Sequence, residues 1–330
     1  MSRGSSVAYR LRPNKAVDRE LFLSLLGRLS AKLRLEQYFY IGLGGPFLED
    51  FRLIHARIGI DKMICVESEE AVHRRQSFNR PVESIKCVHA KLEEFLDNEE
   101  FDAPVVLWLD FTEPKPVVSQ IEAFARRACD VPINSILRIT LNANPTSLGK
   151  PSAKLTAVAL PGEGEKAGGA ETEIEWRLAR FRERLGGSCP AGLLPSDMEY
   201  RNYGPSLLEA LRLCAERQIL DRLDRKLVWA LATHYADGQP MVTATAIVVA
   251  RAEEEVKTIV EAWPYFSEPK SPLRLDMPAL STLERLIMES NQNPQEKLGY
   301  ELPQSDMGEN PFDAFRRFYR VYPHFARVDL

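Results

Sequence analysis

The 330-residue chain is predicted to be an α/β protein. Its expected core is a doubly wound, mostly parallel seven-stranded sheet with an antiparallel terminal hairpin, plus a helical insertion and a C-terminal helical extension. Three observations predict this. Short apolar, β-prone runs alternate with helical patterns through five strands over about 110 residues. Glycines or acidic residues stand at the ends of several of those runs. Two further β-prone runs flank Asp237-Gly238, a strong short-range hairpin signal.

In chain order, "VDRELFLSLLGRLSAKLR" (17–34) places Leu21, Leu25, Leu29 and Leu33 four apart, on one helical face, with Phe22 and Leu26 widening the stripe. Asp18 is read as its N-cap. "QYFYIGL" is a strand broken at Gly42, and "LEDFRLIHARIG" is a helix closed by Gly59, the residue favoured just past a helix end. "DKMICVES", "ESIKCVHA", "APVVLWLDFTEP" and "SILRITLNANP" are the next four strands. The helices between them are "EEAVHRRQSFNRP", "KLEEFLDN" and "VVSQIEAFARRAC". Such alternation of short apolar strands with helices implies a parallel sheet covered on both faces. Right-handed crossovers then make it doubly wound, with ligands beyond the carboxyl ends of the strands at the switch point.

After Pro145 the alternation stops. "PGEGEKAGGAETE" (161–173) is rich in glycine and charge, which predicts a mobile loop. "EIEWRLARFRERLGG" and "SLLEALRLCAERQILDRL" read as amphipathic helices. "KLVWALATHYADGQPMVTATAIVVA" is the hairpin, "LSTLERLIMESN" a helix, and "NPFDAFRRFYRVYPHFARVDL" an aromatic tail. The expected organisation is an N-terminal helical segment (1–35) and a Rossmann-like domain (36–150 and 226–252). A helical insertion (151–225) and a C-terminal helical extension (253–330) complete it.

Hydrophobic residues make up 45% and charged residues 27%, as in ordinary globular proteins. A net charge of −4 argues against whole-surface attraction to nucleic acid or anionic membrane. Local patches stay open, as do a nucleic-acid acceptor and a homo-oligomer. The five scattered cysteines lack a CxxC pair, so free thiols in a reducing compartment are expected, with Cys65 and Cys87 buried. No metal-ligand spacing is present, and no run is long enough to span a bilayer. A cytoplasmic location and no resident metal are the expectations.

The chemistry concentrates at strand ends. Gly42, Gly44 and Gly45 follow the first strand, where glycine lets the backbone turn sharply and approach a ligand. Glu67 ends the second strand, about 25 residues later, near the spacing of a ribose-binding acid. Two adenosine cofactors compete for such a turn. The dinucleotide fingerprint needs glycine where this chain has Phe47. Glu49 and Asp50 at the helix entry repel phosphate and attract a sulfonium. The residues therefore favour S-adenosylmethionine over NAD(P).

This pattern resembles the class I S-adenosylmethionine-dependent methyltransferases, over residues 36–150 and 226–250. The resemblance implies that Gly42, Gly44 and Gly45 flank the methionine part of the cofactor and that Glu67 binds its ribose. It also implies that Ala90 lies near adenine and that Asp110 faces the methyl-transfer centre. Two positions depart from the pattern. Tyr40 stands where the family usually has an acid, and His89-Ala90-Lys91 where it often has an aspartate. The loop "LDFTEPKP" also resembles the Asp-Pro-Phe-Gly-Ser-Pro loop of the tRNA guanine-N2 dimethyltransferases through Asp110 and Phe111, without their glycine-serine. "RPNKAVDREL" resembles the N-terminal element of the same enzymes. This points to a planar or nucleobase-like acceptor.

Asp110, Glu113 and Asn142 are the candidate catalytic residues, since a carboxylate can orient an amine or hydroxyl acceptor or take its proton. The alternative for Asp110 and Asn142 is capping of loops at strand ends. Arg10, Arg12, Lys15 and Arg19 could hold a phosphate, seat the acceptor, or pair with Glu49 and Asp50. Tail aromatics interleaved with arginines could clamp single-stranded nucleic acid or, at helical spacing, pack into a core. His234 is read as structural. The expected function is an S-adenosylmethionine-dependent methyltransferase acting on nitrogen or oxygen. The alternatives are a non-catalytic cofactor- or partner-binding module of the same fold and an NAD(P)-dependent oxidoreductase.

Overall fold

A computed structural model describes residues 12–151, 172–304 and 306–322. Residues 161–171 of the expected mobile loop lie outside them. Five parallel strands alternate with helices: β1 (Phe39–Gly42), α2 (Glu49–Ile58), β2 (Lys62–Glu67), α3 (Glu70–Asn79), β3 (Ile85–His89), α4 (Leu92–Asn98), β4 (Val105–Asp110), α5 (Val117–Asp130) and β5 (Ile136–Asn142). The helix α1 (Pro13–Leu29) precedes them. α6 (Glu173–Leu185) and α7 (Tyr203–Ile219) lead into the hairpin of β6 (Arg225–Ala236) and β7 (Pro240–Ala250). The strand order is β3-β2-β1-β4-β5-β7-β6, closed by an eighth strand, β8 (Leu273–Leu275), parallel to β6. Seven strands were expected. β8 carries three residues, too few to show a period in sequence.

β1 lies between β2 and β4, both parallel to it. The chain order reverses there, so the crevice at the carboxyl ends of β1 and β4 is the switch point. β7 runs antiparallel to both β5 and β6. Gly238 takes φ +86° in the turn between β6 and β7, a conformation glycine adopts without a Cβ penalty.

Two cores cover the two faces of the sheet. One gathers Leu21, Phe22 and Leu25 of α1 with Tyr40, Phe51 and Trp108. The other gathers Ile41, Leu107 and Ile139 with Phe124 of α5 and Leu207 and Leu211 of α7. α1 differs from an ordinary surface helix in being buried nearly all round, including the polar residues Asn14, Lys15, Asp18 and Arg19. Pro13 occupies its first turn, where a missing N–H costs nothing.

Asp18 was expected to cap α1. It sits instead in the second turn and is 1% exposed, paired at 2.6 Å with Arg138 of β5, which is 0% exposed. Thr233 and Thr243 donate to the other carboxylate oxygen of Asp18 at 2.7 and 3.0 Å. The Arg138 guanidinium also donates to Thr245 at 2.8 Å and lies 4.6 Å from the Phe22 ring and 4.7 Å from the Trp108 ring. The cap comes from the distant hairpin turn: the Asp237 carboxylate accepts from the Asn14 and Lys15 amides at 3.3 and 2.8 Å. Local sequence could not reveal a cap more than 200 residues away.

The C-terminal helices α8 (Glu255–Glu261), α9 (Thr282–Ser290), α10 (Pro294–Leu298) and α11 (Pro311–Phe318) pack mainly against the α1 side. Phe312, Phe315 and Phe318 of α11 are buried, while Arg317 is about half exposed. The tail aromatics therefore face inward in the described part, which is the packing alternative. All five cysteines are free thiols, and Cys87, expected to be buried, is half-buried. Among the described residues no helix is long and apolar enough to cross a membrane.

His234 of β6 is 1% exposed, and neither ring nitrogen has a hydrogen-bond partner among the described residues. A Cβ at Gly204 of α7 would lie 2.5 Å from its Nε2, so α7 closes directly over the ring. Burial, with a contribution from Arg274, pushes the imidazole down to about 3.

Two stability measurements follow from these buried groups. Asp18→Ala leaves Arg138 charged and unpaired in the core and should cost about 3–5 kcal/mol in urea unfolding. The double variant Asp18→Leu/Arg138→Met should cost much less than the sum of its single changes; a cost equal to that sum would show that the two side chains do not act as a pair. The unfolded chain protonates His234 near its ordinary value, whereas the folded chain does so only near pH 3. Stability from this group is complete above pH 6.5 and is lost as pH falls toward 3, by up to about 1.4 kcal/mol per unit. His234→Gln should flatten the stability–pH slope between pH 6 and 4, and an unchanged slope would contradict this assignment.

Candidate active site

The glycine turn is built by packing. A Cβ at Gly42 would lie 3.0 Å from the Tyr40 hydroxyl, and one at Gly44 would lie 2.7 Å from Leu48 and 3.0 Å from both Cys65 and Phe51. Gly45 takes φ +52°. Gly42 and Gly44 thus serve close packing within the protein, and Gly45 a left-handed turn that glycine adopts without strain. This turn continues into a 3-10 turn at Gly45–Phe47, and Leu48 takes φ 51° before α2 begins at Glu49. The amides of α2 are therefore displaced from the strand end. In a dinucleotide fold the helix starts at that turn and offers its amides to phosphate.

Glu49 and Asp50 are not free to act on a bound cofactor, since the pairing alternative for Arg19 is the one observed. Arg19 of α1 reaches both: its guanidinium lies 3.6 Å from Glu49 and bonds Asp50 directly. Burial opposes its charge, but Asp50 and Glu49 hold its proton more tightly than in water. The two acids are ion-paired, so their field at the turn is largely offset. The displaced start of α2 is the better reason against a pyrophosphate.

Tyr40 fills the place of the expected acid. Its ring meets Phe51 edge-on at 4.8 Å. Burial first, then Asp50, Cys65 and Asp110, push its hydroxyl well above the ordinary tyrosine range. It is a neutral phenol beneath Gly42, between the glycine turn and Asp110. Cys65 and Cys87 are register partners on β2 and β3. The hydrogen bond from Cys65 chiefly brings the Cys87 thiol down to about 7.

The predicted residues occupy one edge of the sheet. Glu67 is half-buried at the end of β2, where one carboxylate oxygen accepts from the Glu69 amide at 2.8 Å. Ala90 follows β3 and donates its amide to the Glu67 carbonyl at 3.0 Å, so these two positions are adjacent. His89 stacks on His73 at 5.3 Å.

Asp110 ends β4 with a side chain 14% exposed, and Lys15 of α1 lies 3.4 Å from its Oδ2. Its Oδ1 is buried and has no hydrogen-bond partner among the described residues. A carboxylate oxygen kept from water without a donor is costly unless something else supplies one.

Asn142 and Glu113 are placed differently. The Asn142 amide donates to the Thr112 carbonyl at 3.0 Å, and its oxygen accepts from the Asn144 amide at 3.0 Å. Its hydrogen bonds go to the loops after β4 and β5. The Glu113 side chain is exposed, and its carbonyl accepts from Gln120 at 3.0 Å. Asp110 is thus the candidate with an uncommitted buried atom, and Asn142 holds the loop that carries Glu113.

Sequence reasoning noted Lys15 and Arg19 but missed their common origin. Asn14, Lys15, Asp18 and Arg19 form a stripe at i, i+1, i+4, i+5 of one helix. They bind respectively the hairpin turn, Asp110, Arg138 and the α2 acids. Four polar residues at that spacing in an otherwise leucine-rich helix were the available signal.

Solved structures of similar shape include Trm1 from Pyrococcus horikoshii with S-adenosyl-L-methionine. It shows 12% identity and a TM-score of 0.41, covering 93% of this chain and 82% of that one. The plantazolicin methyltransferase BamL, bound to a desmethylPZN analog and SAH, shows 11% identity and a TM-score of 0.36, covering 72% and 87%. MtNAS with S-adenosylmethionine shows 20% identity and a TM-score of 0.28 over 43% of this chain. The match spans about half of MtNAS, 53% of its length. No curated protein matches the chain. The model of the family described as "Putative O-methyltransferase" matches residues 7–330, nearly the whole sequence, and the chain belongs to that family.

Proposed function

We propose that this protein transfers a methyl group from S-adenosylmethionine to a hydroxyl oxygen of its acceptor. The carrying observation is Asp110, whose buried, unpartnered Oδ1 stands at the switch point beside the glycine turn. Membership of an O-methyltransferase family favours oxygen over nitrogen.

The residues present suit that cofactor. Three of the four residues that follow from the end of β1, Gly42, Gly44 and Gly45, carry no Cβ, and Glu67 offers a carboxylate at the end of the neighbouring β2. Glu67 would hold the ribose hydroxyls, Ala90 would border the base, and the backbone of Gly42–Gly45 would border the methionine part. When bound, S-adenosylmethionine supplies a methyl carbon already activated toward a nucleophile.

The protein's own contribution is then positioning and proton transfer. Lys15 holds Asp110 Oδ2, which leaves Oδ1 to accept the acceptor's hydroxyl hydrogen. As the acceptor oxygen gains the methyl and the methyl–sulfur bond breaks, leaving its electron pair on sulfur as a neutral thioether, that proton would pass to Asp110. Asn142 fixes the Thr112 loop and, with it, the backbone around Glu113. The buried Tyr40 and the surrounding apolar residues keep water from beneath the site, and orientation of two bound reactants supplies most of the acceleration.

Calorimetry tests the reading. S-adenosylmethionine and S-adenosylhomocysteine should bind one to one and NAD should not; binding of neither sulfur ligand would sink the proposal. Glu67→Ala should weaken both by about tenfold, the loss of a charge-assisted hydrogen bond. Asp110→Asn should keep S-adenosylhomocysteine affinity within about threefold, since it removes a base and retains a hydrogen-bonding group. Its transfer of labelled methyl to a cell extract should fall at least about 100-fold, and transfer at the parent rate would exclude Asp110 as the base.

A further inference from the structure

A cleft of about 550 Å³ opens beside the carboxyl end of β5, between the turn Pro145–Leu148 and α6. This size suits a small molecule or one end of a larger one. Gly149 and Lys150 form one wall, and Trp176, Arg180, Glu183 and Arg184 the other. The α6 residues recur at i, i+4, i+7, i+8, so they share one helix face.

Three features make the cleft more than a surface dent. The Arg180 guanidinium lies 4.7 Å from the Trp176 ring centre, giving a flat cationic surface on which a second ring can stack. The Trp176 indole N–H is buried and has no acceptor among the described residues. The lining holds three cations and one carboxylate, and that carboxylate, Glu183, pairs with Arg180 at 2.5 Å. Lys150 makes no ion pair among the described residues, and Arg184 donates to the Ser147 carbonyl at 3.2 Å, tying the walls together. The same turn is fixed to the strand end through Asn144, which caps it and donates its side-chain amide to the Gln239 side-chain oxygen at 3.0 Å.

We infer that this cleft holds the anionic group of a planar acceptor, a ring carrying a carboxylate or a phosphate. A flat cation, an unsatisfied ring N–H donor and excess positive charge are the complement of that chemistry. The inference rests on the methyltransferase reading, because the cleft is lined by the turn that follows β5, the strand paired with β4 at Asp110. Its location accounts for why α6 and the turn after β5 carry arginines, lysine and tryptophan on facing sides.

Titration of the full chain, with and without S-adenosylhomocysteine, tests it by calorimetry and tryptophan fluorescence. The probes are 3,4-dihydroxybenzoate against catechol and guanosine monophosphate against guanosine. At least one charged probe should bind about tenfold or more tighter than its neutral partner, and the pair that shows this identifies carboxylate or phosphate. Arg180→Ala and Lys150→Ala should each reduce that preference. Trp176→Phe should remove the fluorescence response while S-adenosylhomocysteine affinity stays within about twofold. Equal binding of charged and neutral probes, or binding of none, overturns the cleft assignment. If that happens while S-adenosylhomocysteine still binds, the methyltransferase reading stands. If the charged probes bind and S-adenosylhomocysteine does not, the methyltransferase reading fails and the anion cleft stands.

Discussion

The ion pair between Asp18 and Arg138 is the constraint around which this fold is arranged. Two charges removed from water are stable only when nearly every hydrogen-bonding position is filled. Here Thr233, Thr243 and Thr245 from β6 and β7 and the rings of Phe22 and Trp108 surround them. The pair fixes the rotation of α1 against β5. Once that rotation is set, Lys15 faces Asp110, Arg19 faces the α2 acids, and Asn14 reaches the hairpin turn.

The site therefore depends on a helix that sequence places before the sheet. Asp237 caps α1, and the Asn14 oxygen accepts from the Met277 amide at 2.7 Å. Burial raises the Asp237 carboxyl, while the amides of Lys15 and Asn14 pull it back. One helix end thus joins the hairpin, the segment after β8 and the switch point. Residues distant in sequence meet here because α1 packs on one face of the sheet with its first turn at the carboxyl end of β4.

Much of the fold was legible because it is local. The five alternating strands, Gly59 closing α2 and Asp237-Gly238 turning the hairpin all follow from short-range patterns. Asp18 was misread because a polar residue before "RELF" has the local appearance of a cap, and its actual partner is 120 residues away. β8 was missed because three residues have no period. At the site, Asp110 and Glu67 were legible as polar residues ending apolar runs. The role of Asn142 was not, since its bond to the Thr112 carbonyl depends on the spacing of two loops. The glycines were noticed for a ligand's sake, yet at Gly42 and Gly44 the immediate reason is Tyr40, Leu48, Phe51 and Cys65. The acids after them were expected to act on the cofactor as charges, and their pairing with Arg19 of another element, open as an alternative in the sequence, is what the structure holds.

Held by these contacts, α1 belongs to the same cooperative unit as the sheet and its site. Native-state hydrogen exchange of the ligand-free protein measures this directly. The inner amides of α1, from Val17 to Leu25, should exchange only through the global opening that also exposes β5, with the same free energy and denaturant dependence. Exchange of α1 through a separate, lower-energy opening while β5 stays protected would contradict it.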